Sequence, residues 1–191
     1  IFSRVSDLFY RRGYVVAGVS SDEDEEKERH LIEALKQRGV DGLLLASCSL
    51  PHREGLSAIG FGRPVVLFDR DRPGARLPVV AVDNEHATRL LTRELIARGH
   101  RHIALFYVTP WLSTIRCRMQ GFHRAMRECG LADNTLLERQ IDVRALRPQM
   151  QDALNDCCGS PGGATAVVLL NNVLGAEAVY CLNRLWRLPQ K

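Results

Sequence analysis

No catalytic signature is legible in this 191-residue sequence. It holds no G-x-S-x-G elbow for a serine nucleophile, no H-E-x-x-H pair for zinc, no Walker loop and no G-x-G-x-x-G fingerprint. The one short echo, Gly60-Phe61-Gly62, stands before a strand-like run rather than after one, the wrong place for a phosphate cradle. An enzyme is therefore not expected, and neither is a cofactor. Long apolar runs are also lacking: none approaches the roughly 20 residues of a membrane-spanning helix. No secretory leader is legible, although the chain opens on Ile1 rather than Met, and a cytoplasmic protein is the default expectation. The six cysteines, Cys48, Cys117, Cys129, Cys157, Cys158 and Cys181, form no C-x-x-C pair. A chain of this length can build a core without disulfide staples, so buried, reduced thiols are expected rather than metal or redox sites. His100 and His102 could face the same way, but no Cys or carboxylate stands near them in sequence, and no metal is expected. A segregated basic stripe is lacking too. The net charge is +4, yet residues 22–28 are almost all acidic while Arg and Lys are scattered. Nucleic-acid binders gather their basic residues, so this stretch is not expected to contact DNA.

What is present is an ordinary globular balance, 46% hydrophobic and 25% charged. One punctuation mark recurs in it. Arg12-Gly13, Arg38-Gly39, Arg98-Gly99 and Cys129-Gly130 each close an amphipathic stretch. Glycine just past a helix end takes the left-handed conformation at no steric cost, and arginine in the last turn suits the negative end of the helix dipole. Strand-like runs follow three of these glycines, at 14–19, 40–46 and 102–108, with further runs at 64–68, 79–82 and 166–170. The first three are mostly apolar without alternation, as expected of parallel strands covered on both faces.

Helical periodicity fills the intervals. Phe2, Val5 and Phe9 share a face of the first stretch, and Leu31, Ile32 and Leu35 a face of the second, after an acidic first turn at 23–26. Over 84–98 the apolar stripe is Ala87, Leu90, Leu91 and Leu95, with Asp83 or Asn84 placed to cap. Further helices are expected at 114–129, 147–157 and 173–186. Alternating helices and strands with short loops imply right-handed crossovers and an α/β fold with doubly wound parallel sheets. The polar passage 69–78, rich in Pro and Gly, joins two strands without a helix, which suggests the chain passing from one lobe to another. Ile1 opens directly on a helix, and the chain stops after one. Both lobes are therefore expected to be incomplete and the stretch to be a fragment.

Six short segments then stand in a telling order: Val40-Asp41-Gly42-Leu43-Leu44; Pro64-Val65-Val66 running to Asp69; Val82-Asp83-Asn84; Gly99-His100-Arg101-His102-Ile103-Ala104; Arg118 to Phe122; and Asn171-Asn172. In this order and spacing they resemble the effector domain of the lac repressor family of transcription regulators, over nearly the whole chain. Periplasmic sugar-binding proteins share the fold and some motifs more loosely. The resemblance implies two lobes of periplasmic-binding-protein type, residues 1–80 and 81–191, with an effector cleft between them. It also implies a DNA-binding headpiece before Ile1, a homodimer to which the helix 2–12 with Tyr10 could contribute, and a small-molecule effector, by precedent a sugar or derivative. Operator DNA would be contacted only through that headpiece. The alternative is a periplasmic solute receptor of a transport system.

Residue by residue, Arg118 matches the arginine that in this family reaches into the cleft to hold the effector; the bland alternative is a surface helix charge. Its guanidinium offers fixed donors for hydroxyls, a carboxylate or a phosphate. Its loss is expected to leave folding little changed. Asp69 and the pair Asn171 and Asn172 sit at strand C-terminal ends, where open α/β sheets bind ligands, although the two asparagines suit helix capping and turns equally well. Trp111, in the loop after 102–108, either stacks on a ligand ring or packs on its own lobe.

Overall fold

The structure is a computed structural model that describes residues 2–48, 62–71, 76–131, 137–159 and 161–185. Gly60 and Phe61 of the lone G-x-G, residues 72–75 of the helix-free passage, and Trp186 at the expected end of the last helix lie outside the described residues. The chain divides into two compact units, Ile1–Phe68 with Arg72–Val80, and Asp69–Asp71 with Ala81–Lys191.

In the first unit, helices α1 (Phe2–Tyr10) and α2 (Glu25–Gln37) precede strands β1 (Leu43–Leu45), β2 (Val65–Phe68) and β3 (Val79–Val80). The strands pair in parallel in the order β1-β2-β3. Asp24 caps α2, its carboxylate accepting the Lys27 amide at 2.9 Å. Ile32 and Leu67 are buried, with Val40, Leu43, Leu45, Val65 and Leu77 packed partly around them.

The second unit holds α3 (Asn84–Ala97), β4 (Ile103–Tyr107), α4 (Ser113–Glu128), β5 (Glu138–Gln140), a 3-10 turn at Val143–Ala145, α5 (Leu146–Cys158), β6 (Ala166–Leu169) and α6 (Asn172–Leu185). Its sheet runs β5-β4-β6, all parallel. The central strand β4 is almost sealed, and its Phe106 packs in one core with Phe122, Met126, Met150, Leu154 and Leu174. Burying side chains of this size contributes about 1.5–3 kcal/mol each.

The glycine stops act as expected. Gly13, Gly39, Gly99 and Gly130 all have positive φ. After α3, the Gly99 amide donates to Ile96 O and the His100 amide to Leu95 O, so the last carbonyls are satisfied as the chain turns away.

Several expectations are overturned. The run 14–19 is not a strand: nothing among the described residues pairs with it, Val15 is 94% exposed, and a strand exists only through a neighbour's ladder. The supposed core face of α1 is open, with Phe2 and Phe9 exposed, although the Phe2 ring lies over Gly18 and Phe9 meets Tyr14 edge-on at 5.9 Å. In α3 the buried stripe is Asn84, Thr88, Thr92 and Ile96, whereas Leu90 and Leu91 are exposed. The cause is close packing on α4. Gly121 of α4 lies so near the backbone of Glu85 and Arg89 that a Cβ there would overlap Glu85 O, and small side chains alone fit the contact. Strand β5 was not expected, because Glu-Arg-Gln has no apolar pattern. The six cysteines are all free, but Cys129 is exposed and Cys117 and Cys158 only half-buried.

Candidate functional site

Topology locates the site. From β4 the chain crosses through α4 to β5 on one side, then through α5 back past β4 to β6 on the other. Right-handed crossovers in opposite directions put α4 and α5 on opposite faces of the sheet. Helix α3 packs on α4 and α5 packs on α6. The neighbouring strands β4 and β6 therefore send the chain to opposite faces at their C-terminal ends, the crevice where open α/β sheets take ligands.

Arg118, on the second turn of α4, stands at this crevice. Its Nε donates to Asn84 Oδ1 at 2.7 Å and its Nη1 to the carbonyl of Leu170, just past β6, at 2.5 Å. Asn84 is itself oriented, its Nδ2 donating to Val82 O at 3.1 Å. The cap of α3 is Asp83, which accepts the His86 amide at 2.9 Å. Arg118 thus ties α4, the start of α3 and the end of β6 together. The sequence alone led to the expectation that its loss would leave folding little changed; these two bonds to a charged group add a contribution to stability that the expectation did not include. Two of the five guanidinium N–H groups are engaged by these bonds among the described residues.

An open depression of about 370 Å³ is lined by Ala87, Thr88 and Leu91 of α3, by Arg118, and by residues 168–172. It brings together Arg118, Asn171 and Asn172. The Asn171 Oδ1 accepts the Leu174 amide at 2.8 Å and so caps α6, which leaves the amide nitrogen for other partners. Asn172 is exposed. Trp111 and Asp69 do not line this depression. Trp111 is 49% exposed. Asp69 adopts φ +63°, a left-handed conformation that Asp tolerates better than most residues, and its carboxylate lies 3.9 Å from Arg70 Nε. Beyond it, the Asp71 amide donates to the Ser113 hydroxyl at 3.0 Å, tying this segment to the start of α4.

Sequence reasoning missed Asn84 as a partner of Arg118 and Thr88 and Leu91 as lining residues. The Asp-Asn pair before α3 was the available signal, but capping accounted for it.

In the first unit, Glu28 is 4% exposed and accepts from the Ser47 hydroxyl at 2.8 Å and the Cys48 amide at 2.7 Å. Burial, with the Glu28 carboxylate beside it, pushes the Cys48 thiol up to about 11. Burial likewise raises Cys157, Cys158 and Cys181. Thiols held protonated are poor nucleophiles. Among the described residues no three His, Cys, Asp or Glu gather as a metal set, and the His100 Nδ1 is 2.9 Å from Thr165 Oγ1. No described helix is long and apolar enough to cross a membrane.

The model of the periplasmic binding proteins and sugar binding domain of the LacI family matches residues 9–183. The ribose operon repressor of Halalkalibacterium halodurans is 33% identical over 129 residues, which cover 68% of this chain and 38% of that protein. The HTH-type transcriptional regulator GalR of Escherichia coli is 28% identical over 182 residues, 94% of this chain and 52% of that protein. The chain spans about half the length, or less, of these relatives. Among solved structures, the Cra transcriptional dual regulator from Pseudomonas putida in complex with fructose 1-phosphate is similar at a TM-score of 0.82 and 27% identity, with 95% of this chain and 67% of that one covered. With the parallel sheets, the switch-point arginine and this match over most of its length, the chain belongs to the family of periplasmic binding proteins and LacI-type sugar-binding domains.

Proposed function

We propose that this chain is the effector-sensing part of a bacterial DNA-binding transcription regulator, and that it takes a sugar or sugar derivative at the Arg118 end of its second unit. The observation that carries this is the guanidinium at the switch point, held by two protein acceptors and, among the described residues, with N–H groups left over. Such a group suits hydroxyls, a carboxylate or a phosphate and repels a cationic ligand. Two relatives point the same way, one named for the ribose operon and one solved with fructose 1-phosphate. In this reading Asn171 and Asn172 flank Arg118, Trp111 supplies a stacking face and Asp69 accepts from a hydroxyl. Residues 1–80 and 81–191 are the two lobes of a cytoplasmic homodimer, and operator DNA is held by a headpiece outside this stretch. The effector works by differing in affinity for two conformations, which is all that allostery requires. The transport reading is disfavoured because the relatives that align over most of the chain carry the names of transcription regulators.

The test is titration calorimetry on the full-length protein with D-ribose and with fructose 1-phosphate as probes. Arg118→Ala is expected to weaken the binding probe about 10- to 150-fold, the loss of a hydrogen bond to a charged group. Arg118→Lys weakens it too, because an ammonium lacks the planar fork, and Arg116→Ala leaves it nearly intact. Since Arg118→Ala also lowers thermal stability, affinities are read well below the melting midpoint. Binding by Arg118→Ala as tight as the parent's overturns the site.

A further inference from the structure

We propose that Asn84 is a positioning residue for Arg118: it holds the guanidinium in the pose in which the remaining N–H groups meet the effector. The proposal rests on the reading of Arg118 as the effector arginine. A long, flexible side chain loses about 1.5–2 kcal/mol of rotamer freedom when it is ordered, and a binding site gains affinity when that ordering is done before the ligand arrives. Three observations place Asn84 in this role. Its side chain is in the buried stripe of α3, 7% exposed, and so cannot wander. Its amide nitrogen donates to Val82 O, which fixes which way round the amide sits and presents the oxygen, not the nitrogen, to Arg118. That oxygen accepts from Nε at 2.7 Å, while the Leu170 carbonyl accepts from Nη1. The two acceptors engage different nitrogens of one rigid plane, so together they set its orientation where a single bond would leave it free to swing. Capping does not account for Asn84, because Asp83 performs it.

The same arrangement restricts what can replace Asn84. Ala removes the acceptor. Asp keeps an oxygen for Nε, now on a carboxylate that also attracts the guanidinium, and gives up the bond to Val82 O, from which its second oxygen turns away. A residue that merely supported the fold would lower stability without changing the state of one guanidinium.

Two measurements on the full-length protein test this. The first needs no effector: phenylglyoxal labelling, mapped by mass spectrometry, with Arg116 as the internal reference. In the parent, Arg118 is expected to react more slowly than Arg116. In Asn84→Ala it should react as readily as Arg116, and in Asn84→Asp the protection should return. Protection of Arg118 unchanged in Asn84→Ala overturns the proposal whether or not any sugar binds. The second is a double-mutant cycle in affinity for whichever of D-ribose and fructose 1-phosphate binds the parent. Asn84→Ala should weaken binding roughly tenfold, the scale of one hydrogen bond, and should add nothing to Arg118→Ala, because it acts through that side chain. If Arg118→Ala weakens binding and Asn84→Ala does not, positioning is refuted and the site stands. If Arg118→Ala binds as tightly as the parent, the site itself has failed and the role of Asn84 in binding falls with it.

Discussion

Strands β2 and β4 are built from the same kind of residue, Val-Val-Leu-Phe in the first unit and Ile-Ala-Leu-Phe-Tyr in the second, yet they meet different surroundings. In β4 the first four side chains are buried, whereas in β2 only Leu67 is. Each is central among the three described strands of its sheet. What differs is the cover. In the second unit α3 and α4 lie on one face and α5 and α6 on the other, and a single core gathers side chains from all of them. In the first, the described helices are α1, which buries nothing, and α2, which buries Glu28 and Ile32. An apolar strand records that a neighbour is wanted; helices on both faces supply it.

The comparison can be broken by mutation. The largest effect is expected in the second core. Phe122→Ala, at a fully buried ring, should cost about 3–5 kcal/mol, while Ile32→Ala in the first unit should fall near 2 kcal/mol, because its half-open surroundings can collapse onto the gap. Denaturation is followed by circular dichroism, which reports both units, and by the fluorescence of Trp111, which lies in the second. Equal costs at the two sites would erase the distinction.

Next come two glycines. At Gly121 an added Cβ would run into the Glu85 carbonyl and stand 3.0 Å from the Arg89 amide, backbone that α3 cannot withdraw without leaving α4. Gly121→Ala should cost about 1–3 kcal/mol or more by overpacking. At Gly18 the obstacle, 2.6 Å away, is the far edge of the exposed Phe2 ring, which can rotate aside. Gly18→Ala should therefore be much milder, and thermal melts of the two variants decide it.

A smaller effect lies in alkali. Cys48 binds its proton more tightly in the fold, at about 11, than its ordinary value of 9.0. The resulting stabilisation is fully present below pH 9 and is lost as pH rises through 11. Cys48→Ala should flatten part of the fall in melting midpoint over that interval. An unchanged slope would show that the thiol is not desolvated in solution.

Smallest of all is the surface network in which Glu128 meets Arg89 at 2.8 Å and Arg124 at 3.1 Å. These arginines hold the Glu128 carboxyl below its usual range, so what it contributes is present at neutral pH and fades on acidification. Glu128→Ala should lower the melting midpoint slightly at low salt and not at high salt, as screening of exposed pairs requires.

Much of this fold was legible before the structure, and the reason is locality. Helices over 84–97 and 113–128, and the strand over 103–107, follow from apolar spacing within a dozen residues. The stops at Gly39, Gly99 and Gly130 follow from what one residue can do with its own φ. Arg118 was singled out by the resemblance of six short segments, in order along the chain, to the effector domain of the lac repressor family. The α/β class with parallel sheets followed from the alternation alone.

What the sequence did not carry is everything decided by an element from elsewhere in the chain. Residues 14–19 have the composition of a strand and no ladder among the described residues, whereas Glu138–Gln140 have none of the composition and are a strand because β4 lies beside them. The face that α3 buries was misread because Gly121 brings α4 too close for leucine, so threonine is inside and Leu90 and Leu91 are out. The pairing of Asn84 with Arg118 spans 34 residues, and the bond from Arg118 to Leu170 spans 52. Spacing along a chain constrains neighbours on one helix or strand; only the packed sheet and its helices bring such distant donors and acceptors within 3 Å.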